Sequence, residues 1–169
     1  MRGIPTLFLV VVLCVLPPTL SATAASSEKP ADRILVEKSA RRLSLLRGGT
    51  VIKTYKVALG GQPVGPKVCQ GDKRTPEGKY VIDGRNKNSH YHWSLHVSYP
   101  NSEDRANAKK RGCNPGGDIY IHGLPNGYNW AGIVHTAYDW TLGCIAVRDQ
   151  EIEEIWGLVP NGTAVEIKP

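Results

Sequence analysis

Two glycines between two alternating runs constrain this chain more than any other feature. In "RRLSLLRGGTVIKTYKVAL", residues 41 to 59, apolar and polar side chains alternate on both sides of Gly48-Gly49. A period of two puts one set of side chains on one face of a strand, and adjacent glycines supply the positive φ angles that a two-residue hairpin loop requires. The segment is expected to be a β-hairpin. Further short runs read the same way: "RILVEK" before it, then "KYVIDG", "HWSLHVSYP", "DIYIHG", "CIAV" and "NGTAVEIK". Each is too short for an independent helix and is bounded by turn residues. Between the hairpin and "KYVIDG", the stretch "GGQPVGPKVCQGDKRTPEG" holds too much Gly and Pro for regular structure and reads as loop.

Only two segments look helical. "NSEDRANAKKRG" has Asn101 as a cap, acids at its start, bases at its end and Gly112 to stop it. "DQEIEEIWGLVP" has Asp149 as its expected cap and Ile152, Ile155, Trp156 and Val159 on one face. About eight strands and two helices predict a mainly β domain with helices packed on it, a β-rich α+β fold. No repeat or linker divides the chain, so residues 25–169 are expected to form a single domain.

The first 24 residues read as a secretory signal peptide. Arg2 precedes the ten-residue apolar run from Leu7 to Leu16, and Ala22-Thr23-Ala24 offers a small-residue cleavage site. The run is too short for a stable membrane span, and none is expected after cleavage. The formal charge is +6, or +5 without Arg2. An exported basic protein suits an anionic partner such as a cell-wall polymer, not nucleic acid. The expected location is periplasmic or cell-wall associated.

Beyond Cys14 in the leader, three cysteines remain: Cys69, Cys113 and Cys144. An odd number leaves one thiol free or shared with another molecule. Three intramolecular pairings are open. Cys69 and Cys113 both lie in turn-rich settings, and a bridge between them would be worth about 4 kcal/mol on the chain-entropy model. Cys144 is the favoured leftover.

A thiol becomes a nucleophile when a base or positive dipoles favour its thiolate. Cys144 follows Gly143 at the entrance to a strand, where the Gly143 and Cys144 N–H groups could hold an oxyanion. His122 ends an apolar strand, is followed by a glycine and opens the long loop to Cys144, which makes it the candidate base. The run from His90 to Val97 alternates imidazoles (His90, His92, His96) with aromatic and aliphatic groups. A zinc site is conceivable there, but no carboxylate or cysteine completes a ligand set, and no metal is expected. The wet or cleft-lining face of a half-buried strand is the preferred reading.

Taken together, "DIYIHGLPNGYNW", "DWTLGCIAV" and "EIWGLVPNGTAVEI", with "GDKRTPEGKYVI" and "HWSLHVSYPN" upstream, resemble the YkuD-like catalytic domain of L,D-transpeptidases, cysteine enzymes that remodel bacterial peptidoglycan. The resemblance implies that Cys144 is nucleophile, that His122 is base, and that the Gly123 carbonyl orients the imidazole. It implies an acyl donor that is a stem peptide, with a diamino acid or the terminal lysine of a wall-anchored lipoprotein as acceptor. It implies acylation by carbapenems and calls for no cofactor. Thr141, Gly143, Cys144 and Ile145 fit the family pattern. Leu142 replaces a usual histidine and Ala146 a usual Arg or Asn, so a variant branch is expected. Arg148 and His135 are candidate substitutes for the lost groups. Trp130 and Tyr138, with Tyr128 and Trp140, either form a substrate platform or pin the loop to the core. A hydrolase on the same scaffold, cleaving stem-peptide or lipoprotein links, is the nearest alternative; a non-catalytic wall-binding module is the second.

Overall fold

The computed structural model describes residues 29–169. The expected signal peptide, with Cys14 and the cleavage site, lies outside them. Eight strands form one sheet: β1 (Arg33–Glu37), β2 (Arg42–Arg47), β3 (Thr50–Lys56), β4 (Gly78–Ser89), β5 (His92–Val97), β6 (Tyr120–His122), β7 (Ile145–Ala146) and β8 (Ala164–Lys168). The helices are α1 (Ser102–Lys110) and α2 (Asp149–Leu158), and two 3-10 turns, Asn129–Ile133 and His135–Ala137, interrupt the loop before β7. The expected mainly β architecture with two helices is what forms.

Strand order is β3-β2-β1-β8-β4-β5-β6-β7. Gly48 and Gly49 take φ of 55° and 82° in the β2–β3 turn, which favours glycine at both positions. The chain leaving β3 returns to the far end of that order: Ala58 and Ala146 exchange backbone hydrogen bonds of 3.0 and 2.9 Å, and the Thr141 N–H donates to Leu59 O. The first hairpin thus reaches the strand that follows Cys144. Asp139 reinforces the junction by accepting from the Arg41 guanidinium at 2.7 Å and from the Leu59 N–H at 2.9 Å.

Ile34, Leu43, Leu45, Ile82, Leu95, Ile121 and Ile145 are wholly buried, and the pairs Ile34 and Val36, Leu43 and Leu45, and Tyr80 and Ile82 keep the period of two. Ile152 and Ile155 bring α2 onto this core, each burial worth roughly 2 kcal/mol. Trp156 is half-buried and packs its ring 5.3 Å from that of Trp93. Asn101 caps α1 as expected: its Oδ1 accepts from the N–H groups of Glu103 and Asp104, and Asp104 returns a bond to the Asn101 N–H. The expected Asp149 cap is corrected. Arg148 holds the cap position, and Asp149 stands in the first turn, where its carboxylate accepts from the Leu124 N–H at 2.8 Å. The carboxylate is drawn to a loop amide instead of to its own helix.

Among the described residues no helix is long and apolar enough to cross a membrane.

Candidate active site

Cys144 and His122 arrive from different parts of the chain. β6 and β7 pair in parallel, with Ile121 opposite Ile145 and His122 opposite Ala146; carried back one residue, that register sets Cys144 beside Tyr120, on the same sheet face as His122 and one period of two away from it. Both line one cleft of about 760 Å³, together with Thr141, Tyr91, Trp140 and Asp118.

Among the described residues Cys144 carries the free thiol; Cys69 and Cys113 are joined in a disulfide. Its Sγ–H donates to the Asp118 carbonyl at 3.5 Å. Burial pushes the thiol pKa up, while the Tyr120 backbone N–H pulls it down. The turn before Cys144 requires a glycine: Gly143 has φ of 138°, and a Cβ there would lie 2.7 Å from the Arg74 carbonyl oxygen. Thr141 is the organiser of this turn. Its hydroxyl donates to Cys144 O at 2.8 Å and accepts from the Gly143 N–H at 3.1 Å. The Gly143 N–H is therefore engaged within the turn, which leaves the Cys144 N–H as the better oxyanion donor of the two expected.

His122 is buried, and its Nδ1 lies 2.6 Å from Gly123 O. A carbonyl only accepts, so Nδ1 carries the proton and Nε2 keeps a lone pair. Burial drives the imidazole pKa down to about 4 against the pull of that carbonyl, with the nearby His135 lowering it further. At neutral pH the pair is thus an uncharged imidazole and a protonated thiol.

Tyr91 was not legible as a site residue. Its ring lies 4.6 Å from the His122 ring, and Trp140 stands 6.0 Å from the same imidazole. Asn126 places Tyr91 there. Its Oδ1 accepts from the His92 N–H, its Nδ2 donates to Ser89 O, and its backbone N–H donates to His90 O. These bonds fasten the β4–β5 turn to the loop that follows His122-Gly123. An Asn before a glycine reads as a turn, and nothing in its neighbours signals a distant partner.

Other expected substrate residues stand elsewhere. Arg148 is not part of the cleft wall; it pairs with Glu151 at 2.6 Å at the start of α2, because β7 ends at Ala146 and the strand alternation that would align residues 146 and 148 does not continue. Ala146 itself is wholly buried. His135 is buried and does not line the cleft, and its Nδ1 has no hydrogen-bond partner. Trp130 is 72% exposed and Tyr138 67%, so neither pins the loop to the core, and neither lines the cleft; Trp140 does. Leu142, 74% exposed, projects at the cleft rim. The histidines of the β5 run do not share one face. His90 is in the turn, His92 pairs with Glu153, and His96 pairs with Asp83. The turn at 90–91 and the positive φ of His92 break the alternation.

A cleft with a protonated thiol, a tautomer-fixed imidazole and a backbone donor is suited to acyl transfer. The model of the L,D-transpeptidase catalytic domain matches residues 31–167, and the chain belongs to this family. YafK of Escherichia coli K12 is 30% identical over 112 residues, a match covering 64% of this chain and 37% of YafK. Among solved structures, the helical cell shape determining protein Pgp2 of Campylobacter jejuni shares the fold at a TM-score of 0.62 and 24% identity, covering 83% of this chain and 48% of that one. Bd1075 of Bdellovibrio bacteriovorus is similar at 0.55 and 25%, with the same coverage. The chain therefore spans about half the length of these two structures and just over a third of YafK.

Proposed function

We propose that this protein is an exported cysteine acyltransferase acting on peptidoglycan stem peptides, in wall cross-linking or protein attachment. The observation that carries the reading is a free Cys144 thiol sharing one cleft with a His122 whose tautomer leaves Nε2 unprotonated. His122 Nε2 takes the thiol proton as sulfur attacks an amide carbonyl, and the Cys144 N–H donates to the resulting oxyanion. Collapse expels the terminal residue as an amine, which carries away the proton from His122 and leaves a thioester on Cys144. An acceptor amine then attacks, His122 takes its proton, and the expelled thiolate recovers it. On the family pattern the acyl carbonyl belongs to the L-centre of the third-position diamino acid. The acceptor is a second such residue or a lipoprotein lysine.

Purified protein incubated with tetrapeptide muropeptides tests this. Cross-linked dimers in the mass spectrum are the expected products. Trimmed or separated monomers alone would make the protein a hydrolase. Unchanged substrate would return it to a wall-binding role.

A further inference from the structure

Neither Cys69 nor Cys113 lines the cleft, yet their disulfide joins the two segments that flank Cys144. One is the 66–74 loop, which supplies Lys67, Gln70 and Lys73 to the cleft. The other is the 113–119 strap between α1 and β6, which supplies Gly116, Gly117 and Asp118. The nucleophile turn is wedged between them. A Cβ on Gly143 would meet the Arg74 carbonyl on one side and Ile119 Cδ1 on the other, at 2.7 and 3.2 Å. The strap also holds the sulfur directly, because Asp118 O accepts from the thiol. Asp118 does so at φ of 56°, an uncommon conformation for a non-glycine residue that the surroundings must maintain.

Each segment has some order of its own. The Asp72 carboxylate accepts from Lys67 Nζ and from the N–H groups of Val68, Cys69 and Arg74. The strap is tied to the α1 end through Cys113 N–H to Ala108 O, and to the core through Tyr99 Oη–H to Pro115 O. The two segments are joined by the bridge, the 2.7 Å bond from Gln70 N–H to Asn114 O, the packing of Gly116 on Gln70 and a weak contact of Cys113 Sγ with Val68 O. The bridge is the sole covalent member of that set.

We propose that the Cys69–Cys113 disulfide is a positioning element for Cys144, clamping the two segments that hold its turn so that turnover needs the oxidised bridge, while opening it bares the thiol to small reagents. This rests on Cys144 being the nucleophile of the reading above. Opening the bridge needs a dithiol: two electrons and two protons pass to the Cys69 and Cys113 sulfurs, and the dithiol becomes a cyclic disulfide. Once the strap loosens, the partly buried sulfur gains exposure, and the burial that holds its pKa up weakens.

The test uses the full chain, wild type and the Cys69→Ser/Cys113→Ser double variant, with iodoacetamide alkylation read at the Cys144 peptide by mass spectrometry. In the variant, alkylation at pH 7 is expected to rise roughly three- to tenfold, with its pH profile displaced downward. Muropeptide kcat/KM is expected to fall about tenfold, since turnover needs the aligned thiol. A bridge that only stabilises the fold would lower Tm and leave the alkylation profile of the folded protein unchanged; that result overturns the proposal. Should the double variant fail to fold, folded wild-type protein treated with dithiothreitol gives the same comparison. If the wild type itself lacks turnover, the functional reading fails, and the alkylation arm still decides the role of the bridge.

Discussion

His122 donates its Nδ1 proton to the carbonyl oxygen of Gly123, the very next residue, at 2.6 Å. A short bond within one loop fixes ring and tautomer together. The imidazole is also stripped of water, which lowers its pKa to about 4. Folding thus supplies a base that stays unprotonated through neutral pH.

The acid limb of kcat/KM on muropeptides is therefore expected near pH 4, with a plateau through neutrality, because kcat/KM reports the free enzyme. A limb near the ordinary 6.5 would show that the base is not this buried imidazole. The same shift links to stability. The unfolded chain binds this proton more readily than the folded one, so the His122 contribution is complete above pH 6.5 and declines as pH falls toward 4. Denaturation midpoints at pH 7 and pH 5, in wild type and His122→Ala, measure it: the wild type should lose more on acidification.

Tyr91 covers one face of that imidazole, so Tyr91→Ala admits water to it. The acid limb should then move up toward 6.5, with kcat/KM down roughly tenfold. Asn126→Ala should do the same more weakly, since it frees the turn that carries Tyr91. A fall in activity with an unmoved acid limb would mean that Tyr91 contacts substrate and does not shield the base.

Lys38 is only 2% exposed, and its ammonium donates to Gly65 O, Thr75 O and Glu77. It ties the loop between β3 and β4 to the end of β1. Lys38→Ala leaves the Glu77 charge and two carbonyls without their donor, and should cost about 3–5 kcal/mol in urea denaturation. A cost below 1 kcal/mol would mean that water replaces the ammonium there.

Arg148→Ala should leave muropeptide kcat/KM within about twofold of wild type, because its guanidinium meets Glu151 on the surface and not the cleft. The same exposure limits its stability cost to about 0.5 kcal/mol. A tenfold loss of activity would instead make Arg148 a substrate contact.

Arg148 also shows where sequence reasoning stops. A period of two located the strands because burial on one sheet face leaves a local signature, and the glycines at 48 and 49 marked their turn. His122 and Cys144 stood out as candidates because each adjoins a glycine at a strand end and lies in a motif that resembles the family's. Extending the same period past residue 146 failed because the chain turns into α2 there. Tyr91, Asn126 and Lys38 left no signature at all. Their roles come from partners such as His122, Ser89 and Glu77, at distances along the chain that no local pattern encodes.

The most direct test of the Cys144–His122 pair is intact-mass and peptide-mapping analysis after incubation with a carbapenem. The pair predicts one covalent adduct on the Cys144 peptide of the wild type, strongly slowed formation in His122→Ala, and none in Cys144→Ala. An adduct that persists in Cys144→Ala, or a wild-type Cys144 that stays unmodified, would contradict it.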